Sequence, residues 1–137
     1  MSTFNAEEYE RRQAIKRERL APLYARLDGH PGMISVGPGW YDLVLALDAR
    51  LAEIDPDYRI AQVKEKFGGL RYYASSTVNF DGDFRDSPFQ QAINEAEALA
   101  WRTCEDCGAP GREAGGSWSI VLCEACETAR AGDRKIK

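Results

Sequence analysis

What this chain lacks narrows its class before any motif does. No stretch approaches the roughly 18 consecutive apolar residues of a membrane span. The most apolar region, "WYDLVLALDARLAEI", is interrupted by Asp48 and Arg50. The opening residues, "MSTFNAEEYERRQAIKRERL", carry charge from the start and hold no apolar run, which excludes a secretory signal peptide there. A cytoplasmic protein without membrane contact is therefore expected. No basic excess exists either. The formal net charge is −4, which speaks against a protein that works mainly by wrapping phosphate backbones, while leaving room for a local basic patch. Histidine is nearly absent. The single copy, His30, sits in the helix-ending turn "DGHPG", where a surface or C-terminal capping role is expected. Nucleophile-elbow, P-loop, HExxH and zinc-deaminase patterns are missing. Internal repeats are missing too, apart from one doubled cysteine pair.

What is present fits a globular protein. With 137 residues, 44% apolar and 29% charged, the chain suits one domain, or a compact domain plus a small stapled module. Residues 5–28 read as helical. Asn5 followed by Glu8 is a capping box, and Glu7–Arg11 and Glu8–Arg12 stand at i,i+4 spacing. Pro22 breaks this helix near Arg19 to Ala21 and restarts it, burying Leu23, Tyr24 and Leu27. "MISVGPG" reads as a breaker-rich loop. A core helix is expected over 39–54, with Trp40, Leu43, Val44, Leu47, Leu51 and Ile54 on one face. Tyr41 and Leu45 widen that face, and Asp48, Arg50 and Glu53 lie off it.

Over 58–76 the period changes to two. Gly68-Gly69 signals a hairpin turn that pairs Phe67 with Leu70. Val63, Phe67, Leu70, Tyr72 and Ala74 then face the core together with Glu65, which needs a partner such as Arg59 or Arg26, or the sheet edge, or else a shifted register. Lys64, Lys66, Arg71 and Tyr73 face the other way. Cations beside an aromatic ring suit an anionic ligand or a single-stranded base, but an ordinary exposed sheet face, with lysines guarding an edge, has the same composition. "STVNFDGDFRDS" reads as a polar loop, without the terminal glutamate of a calcium loop. A last helix, 88–102, starts from a Ser87 cap with Pro88 in its first turn and carries a stripe of Phe89, Ala92, Ile93, Ala96, Leu99 and Ala100.

All four cysteines then fall together. Cys104, Cys107, Cys123 and Cys126 give C-x2-C-x15-C-x2-C, a spacing expected for zinc. Each C-x-x-C turn lets two thiolates converge on one ion, and Gly108 permits the tight turn after the second. A thioredoxin-like motif needs one such pair beside a βαβ unit, disulfides need an oxidising compartment, and rubredoxin-like iron sites use a second glycine-bearing knuckle that "CEACE" lacks. Four thiolates close the coordination shell, so one structural Zn2+ is expected rather than a catalytic one. Knuckle, then a hairpin built from "GREAGGS" and the strand "SWSIVL", then a short helix opened by the second pair: this order resembles the treble-clef family of zinc fingers. Between residues 104 and 137, Arg112, Arg130, Arg134, Lys135 and Lys137 are outnumbered by Glu105, Asp106, Glu113, Glu124, Glu127 and Asp133. Protein recognition suits that balance better than phosphate contact.

With "GWYDLVLALDARL", "KEKFGGLRYY" and "CEDCGAPG…LCEAC" in order, the chain from about Gly39 onward resembles a group of small, mostly uncharacterised proteins of bacteria and their phages. The resemblance implies a phage or mobile-element accessory role and supplies no activity. The expected molecule is α+β: helices packed on a small antiparallel hairpin sheet over residues 1–103, closed by a treble-clef-like zinc module over 104–137. The expected function is non-enzymatic binding of a host or phage protein through the hairpin face and the zinc module. The alternatives are a nucleic-acid-binding regulator contacting through Lys64, Lys66 and Arg71, and an enzyme whose site no motif reveals.

Overall fold

The computed structural model describes residues 5–115 and 119–135. The fold is α+β, and the described residues form five α-helices and two small sheets. Helix α1 (Ala6–Arg19) starts where Asn5 accepts a hydrogen bond from the Glu8 N–H at 3.0 Å, as the capping box requires. Of the two expected i,i+4 pairs, Glu8 with Arg12 closes at 2.6 Å and Glu7 with Arg11 does not close. Leu20 interrupts the helix, and α2 (Ala21–Arg26) resumes with proline in its first turn, burying Leu23. His30 caps a short helical turn at its start rather than α2 at its end, its Nδ1 accepting from the Gly32 N–H at 2.9 Å.

The segment expected to be a plain loop carries strand β1 (Ile34–Ser35). It pairs in parallel with β2 (Arg59–Lys66), which in turn pairs antiparallel with β3 (Gly69–Ser75). The hairpin sheet therefore has a parallel third strand, and β2 is its centre. Such a short strand has no periodicity to reveal it; what holds it is Ile34, fully buried, and the Lys16 ammonium donating to the Ile34 carbonyl at 2.8 Å.

The hairpin turn sits one residue earlier than the glycine pair suggested. Lys66 pairs with Gly69 and Glu65 with Leu70, so the two turn residues are Phe67 and Gly68. Their φ values, +55° and +87°, are the left-handed pair of a primed hairpin turn. Because the shift moves the pairing by a whole two-residue period, the core face keeps Val63, Leu70 and Tyr72. Only Phe67 leaves it, for solvent. A bulge between Ile60 and Gln62 lets Ile60 and Val63 both point inward although they are three apart. Glu65 needs neither expected cation: its carboxylate accepts from the Gly68 N–H at 2.6 Å and so braces the turn.

Helix α3 (Tyr41–Ile54) follows a helical turn at Pro38–Trp40, and α4 (Pro88–Ala100) starts on its Ser87 cap, 3.1 Å from the Gln90 N–H. Trp40, Val44, Leu47 and Leu51 share one core with the sheet's inner face and with Phe89, Ala92 and Ile93 of α4. Leu99 falls outside the stripe and is exposed. Asp48 departs further from expectation, since it is buried on the apolar side of α3. Arg26 donates to it at 2.8 Å, and the Tyr58 hydroxyl donates to the same oxygen while lying 2.7 Å from the Tyr72 hydroxyl. The Arg26 guanidinium also covers the Tyr58 ring at 4.3 Å. Burial and the Asp48 carboxylate hold both tyrosines well above the usual phenol range, so they stay neutral donors.

Candidate metal centre and the hairpin face

The cysteine module begins where α4 ends. The Trp40 indole N–H donates to the Thr103 carbonyl at 2.9 Å, which ties the core helix to the residue just before Cys104. Cys104 to Gly108 form a tight knuckle, with the Gly108 N–H on the Cys104 carbonyl at 2.9 Å and the Cys104 N–H on the Ala109 carbonyl at 2.8 Å. Gly108 has φ +85°, a conformation that favours glycine. Strands β4 (Arg112–Ala114) and β5 (Ile120–Leu122) form an antiparallel hairpin, and α5 (Glu124–Lys135) follows. Ser117 and Trp118 of the expected strand lie outside the described residues, as do the side chains of the basic tail from Asp133 on. Cys123 immediately precedes α5 and Cys126 lies in its first turn.

This path brings Cys104, Cys107, Cys123 and Cys126 together, with all four sulfurs within 4.8 Å of one another. The Cys107 and Cys123 sulfurs are 3.7 Å apart. A tetrahedral ion with metal–sulfur bonds of about 2.3 Å separates its ligand sulfurs by about 3.8 Å, so the spacing suits a single ion at the centre. Backbone donors reinforce the sulfurs, among them the Cys126 N–H on Cys123 Sγ at 3.4 Å. Burial alone would raise the Cys104 thiol, but N–H groups of Cys123, Cys107 and Asp106 directed at its sulfur outweigh this and pull it down to about 7. Cys126 is pushed the other way by hydrogen bonds with the Cys123 and Cys107 sulfurs. Four thiols this close ionise together only around a cation.

The knuckle is clamped onto the α+β body. The Gly39 N–H donates to the Glu105 carbonyl at 2.7 Å, and the Gly37 N–H donates to the Glu105 carboxylate at 2.9 Å. A side chain at position 39 has no space, because its Cβ would lie 2.1 Å from the Cys104 carbonyl oxygen. Burial raises the Glu105 carboxyl above the usual range, opposed by the Gly37 N–H. Beside this joint lies a cleft of about 870 Å3, reached by Arg12, Lys16, Glu65, Glu105, Cys126 and Arg130. Each charged group there is already engaged: Arg12 with Glu8, Lys16 with the Ile34 carbonyl, Glu65 with the Gly68 N–H, Glu105 with the Gly37 N–H, and Arg130 in a fork with Asp106.

The hairpin register places Lys64 directly opposite Arg71, Lys66 opposite Gly69 and Gln62 opposite Tyr73, all on the outer face. Among the described residues none of Lys64, Lys66 and Arg71 forms a salt bridge, whereas Arg26 and Arg59 nearby pair with Asp48 and Asp28. Two further rings belong to this surface. Phe67 is 73% exposed at the tip, with the Lys66 ammonium 5.6 Å from its centroid. Trp101, which caps α4, lies against Gly69 so closely that a Cβ there would meet the indole at 2.7 Å. The doubled glycine held the signal for this: the turn needs Gly68 for its backbone, and Gly69 leaves space for a ring. No family model matches the chain, and neither a curated protein nor a solved structure matches it.

Proposed function

We propose that this chain is a non-enzymatic, zinc-stabilised binding protein, an accessory protein of a bacterium or its phages, that meets its partner through the outer face of the β2–β3 hairpin beside the cysteine module. The metal is Zn2+, held by Cys104, Cys107, Cys123 and Cys126. Four thiolates leave no open coordination position, and their summed charge makes the ion a poor Lewis acid. Its contribution is to hold the knuckle, the β4–β5 hairpin and α5 in a treble-clef-like order.

One observation carries the binding function: Lys64, Lys66 and Arg71 stand together on the outer hairpin face without ion pairs among the described residues, in a chain whose net charge is −4. Two kinds of anionic partner fit such a face, the acidic surface of a host or phage protein and a nucleic-acid strand. The test compares the native chain with a Lys64→Glu, Lys66→Glu, Arg71→Glu variant. Both are expected to carry about one zinc per chain and to melt together, while the variant loses a partner that the native chain retains on affinity capture. Equal retention by both would move the contact elsewhere.

A further inference from the structure

Resting on the hairpin face as the contact surface, we infer that this face, completed by Trp101 and Phe67, binds single-stranded nucleic acid by stacking bases on exposed rings and holding phosphates on three cations. The surface has an order. Along β3 the outward positions are Gly69, Arg71 and Tyr73. The Trp101 indole stands over Gly69 and remains 40% exposed, and Tyr73 is 47% exposed. Two rings thus flank Arg71, separated by about 13 Å of strand at 3.3 Å per residue. Lys64 stands across from Arg71, Lys66 across from Gly69, and Phe67 projects from the tip. Cations interleaved with exposed rings form the standard platform for unpaired bases, because every base has a face to stack and a phosphate to neutralise.

Stability alone gives no reason for this arrangement. Lys64 and Arg71 are like charges placed directly opposite each other, which destabilises a hairpin. Guarding a sheet edge does not explain Lys64, because β2 is the central strand. Phe67 holds φ +55°, a conformation rare for a bulky side chain, and the ring gains no burial in return. Two local preferences are violated within eight residues of one hairpin, the separation of like charges and the backbone preference of Phe67, and such clustering is a mark of functional sites. One carboxylate that senses this face is Glu97. Its carboxylate is occupied by the Tyr72 N–H at 3.0 Å and feels Arg71 without forming a salt bridge to it. An acidic protein surface would use the cations but has little need of three exposed rings.

Fluorescence anisotropy with labelled 15-nucleotide dT and rU strands tests this on the zinc-loaded chain. Binding is expected to weaken with salt at a slope of about −2 in log K against log salt, from about −0.7 per phosphate and three cations. Between 50 and 200 mM salt that is a loss of about twentyfold. Trp101→Ala and Tyr73→Ala are each expected to weaken binding about tenfold while zinc content and melting stay unchanged. Should Trp101→Ala disturb the fold, Phe67→Ala, which uncovers no core, carries the same expectation. The inference is overturned by the absence of salt-dependent binding to either strand, or by binding that none of the ring substitutions alters. It is also overturned if only an acidic 15-residue peptide binds and the charge-reversed variant releases it, an outcome that leaves the hairpin face standing as a protein contact. If neither probe binds, the contact surface falls as well.

Discussion

The two halves of this molecule hold their shape by different means. Up to Thr103 the chain has a shared apolar core drawn from α2, α3, α4 and the sheet, with the Asp48 polar network set within it. From Cys104 onward the described residues that are buried are Cys104, Glu105, Val121 and Leu122. Two large apolar side chains bury too little surface to order some thirty residues, at roughly 2 kcal/mol each against about 1 kcal/mol or more of backbone entropy per residue. One half is therefore held by solvent exclusion. The other depends on four converging sulfurs and on the clamp between Gly37–Trp40 and the knuckle. Cooperativity is expected within each half and weaker between them.

Removing the proposed zinc should separate the halves most sharply. Binding of a structural zinc supplies about 10–16 kcal/mol in small fingers. A strong chelator, or Cys123→Ser, should therefore abolish amide-exchange protection over 104–135 while α3 and the β2–β3 hairpin keep theirs. Simultaneous loss of protection throughout would mean that the clamp makes one cooperative unit of the two. Asp48→Ala attacks the other half. Removing one partner of a buried ion pair costs about 3 kcal/mol or more, and here it also removes the carboxylate that accepts from the Tyr58 hydroxyl, leaving that hydroxyl with Tyr72 alone. Chemical denaturation should show the loss, with zinc content unchanged. Gly39→Ala probes the joint itself. Its Cβ conflicts with backbone rather than with a flexible side chain, so about 1–3 kcal/mol of overpacking is expected, together with faster exchange at both Gly39 and Gly108. A variant with native stability would show that the knuckle can shift at little cost.

The same contrast explains which features were legible in the sequence. The convergence of the four sulfurs was readable because a metal-type spacing is local, and each C-x-x-C turn is complete within four residues. Asn5, Ser87 and the Pro22 break were readable for the same local reason. Asp48 was misplaced because its partners come from elsewhere: Arg26 lies 22 residues away and Tyr58 ten. A periodicity that counts apolar positions assigns a charged residue to the outside. Phe67 was placed inward because an aromatic ring beside a glycine pair looks like a strand residue, whereas the preceding residues pair one step earlier and leave it in the turn.

The sequence by itself determined what acts over a few residues: the helix starts, the alternation of the hairpin, and four thiols spaced to meet around one ion. Only the tertiary structure decided which distant groups come together. It set the Trp101 ring over Gly69, buried Asp48 between Arg26 and Tyr58, and closed the Gly39 loop onto Cys104. Local signals follow from backbone geometry and are repeated in every chain that uses them. Long-range pairs depend on how whole elements pack, and no short window of sequence contains both partners.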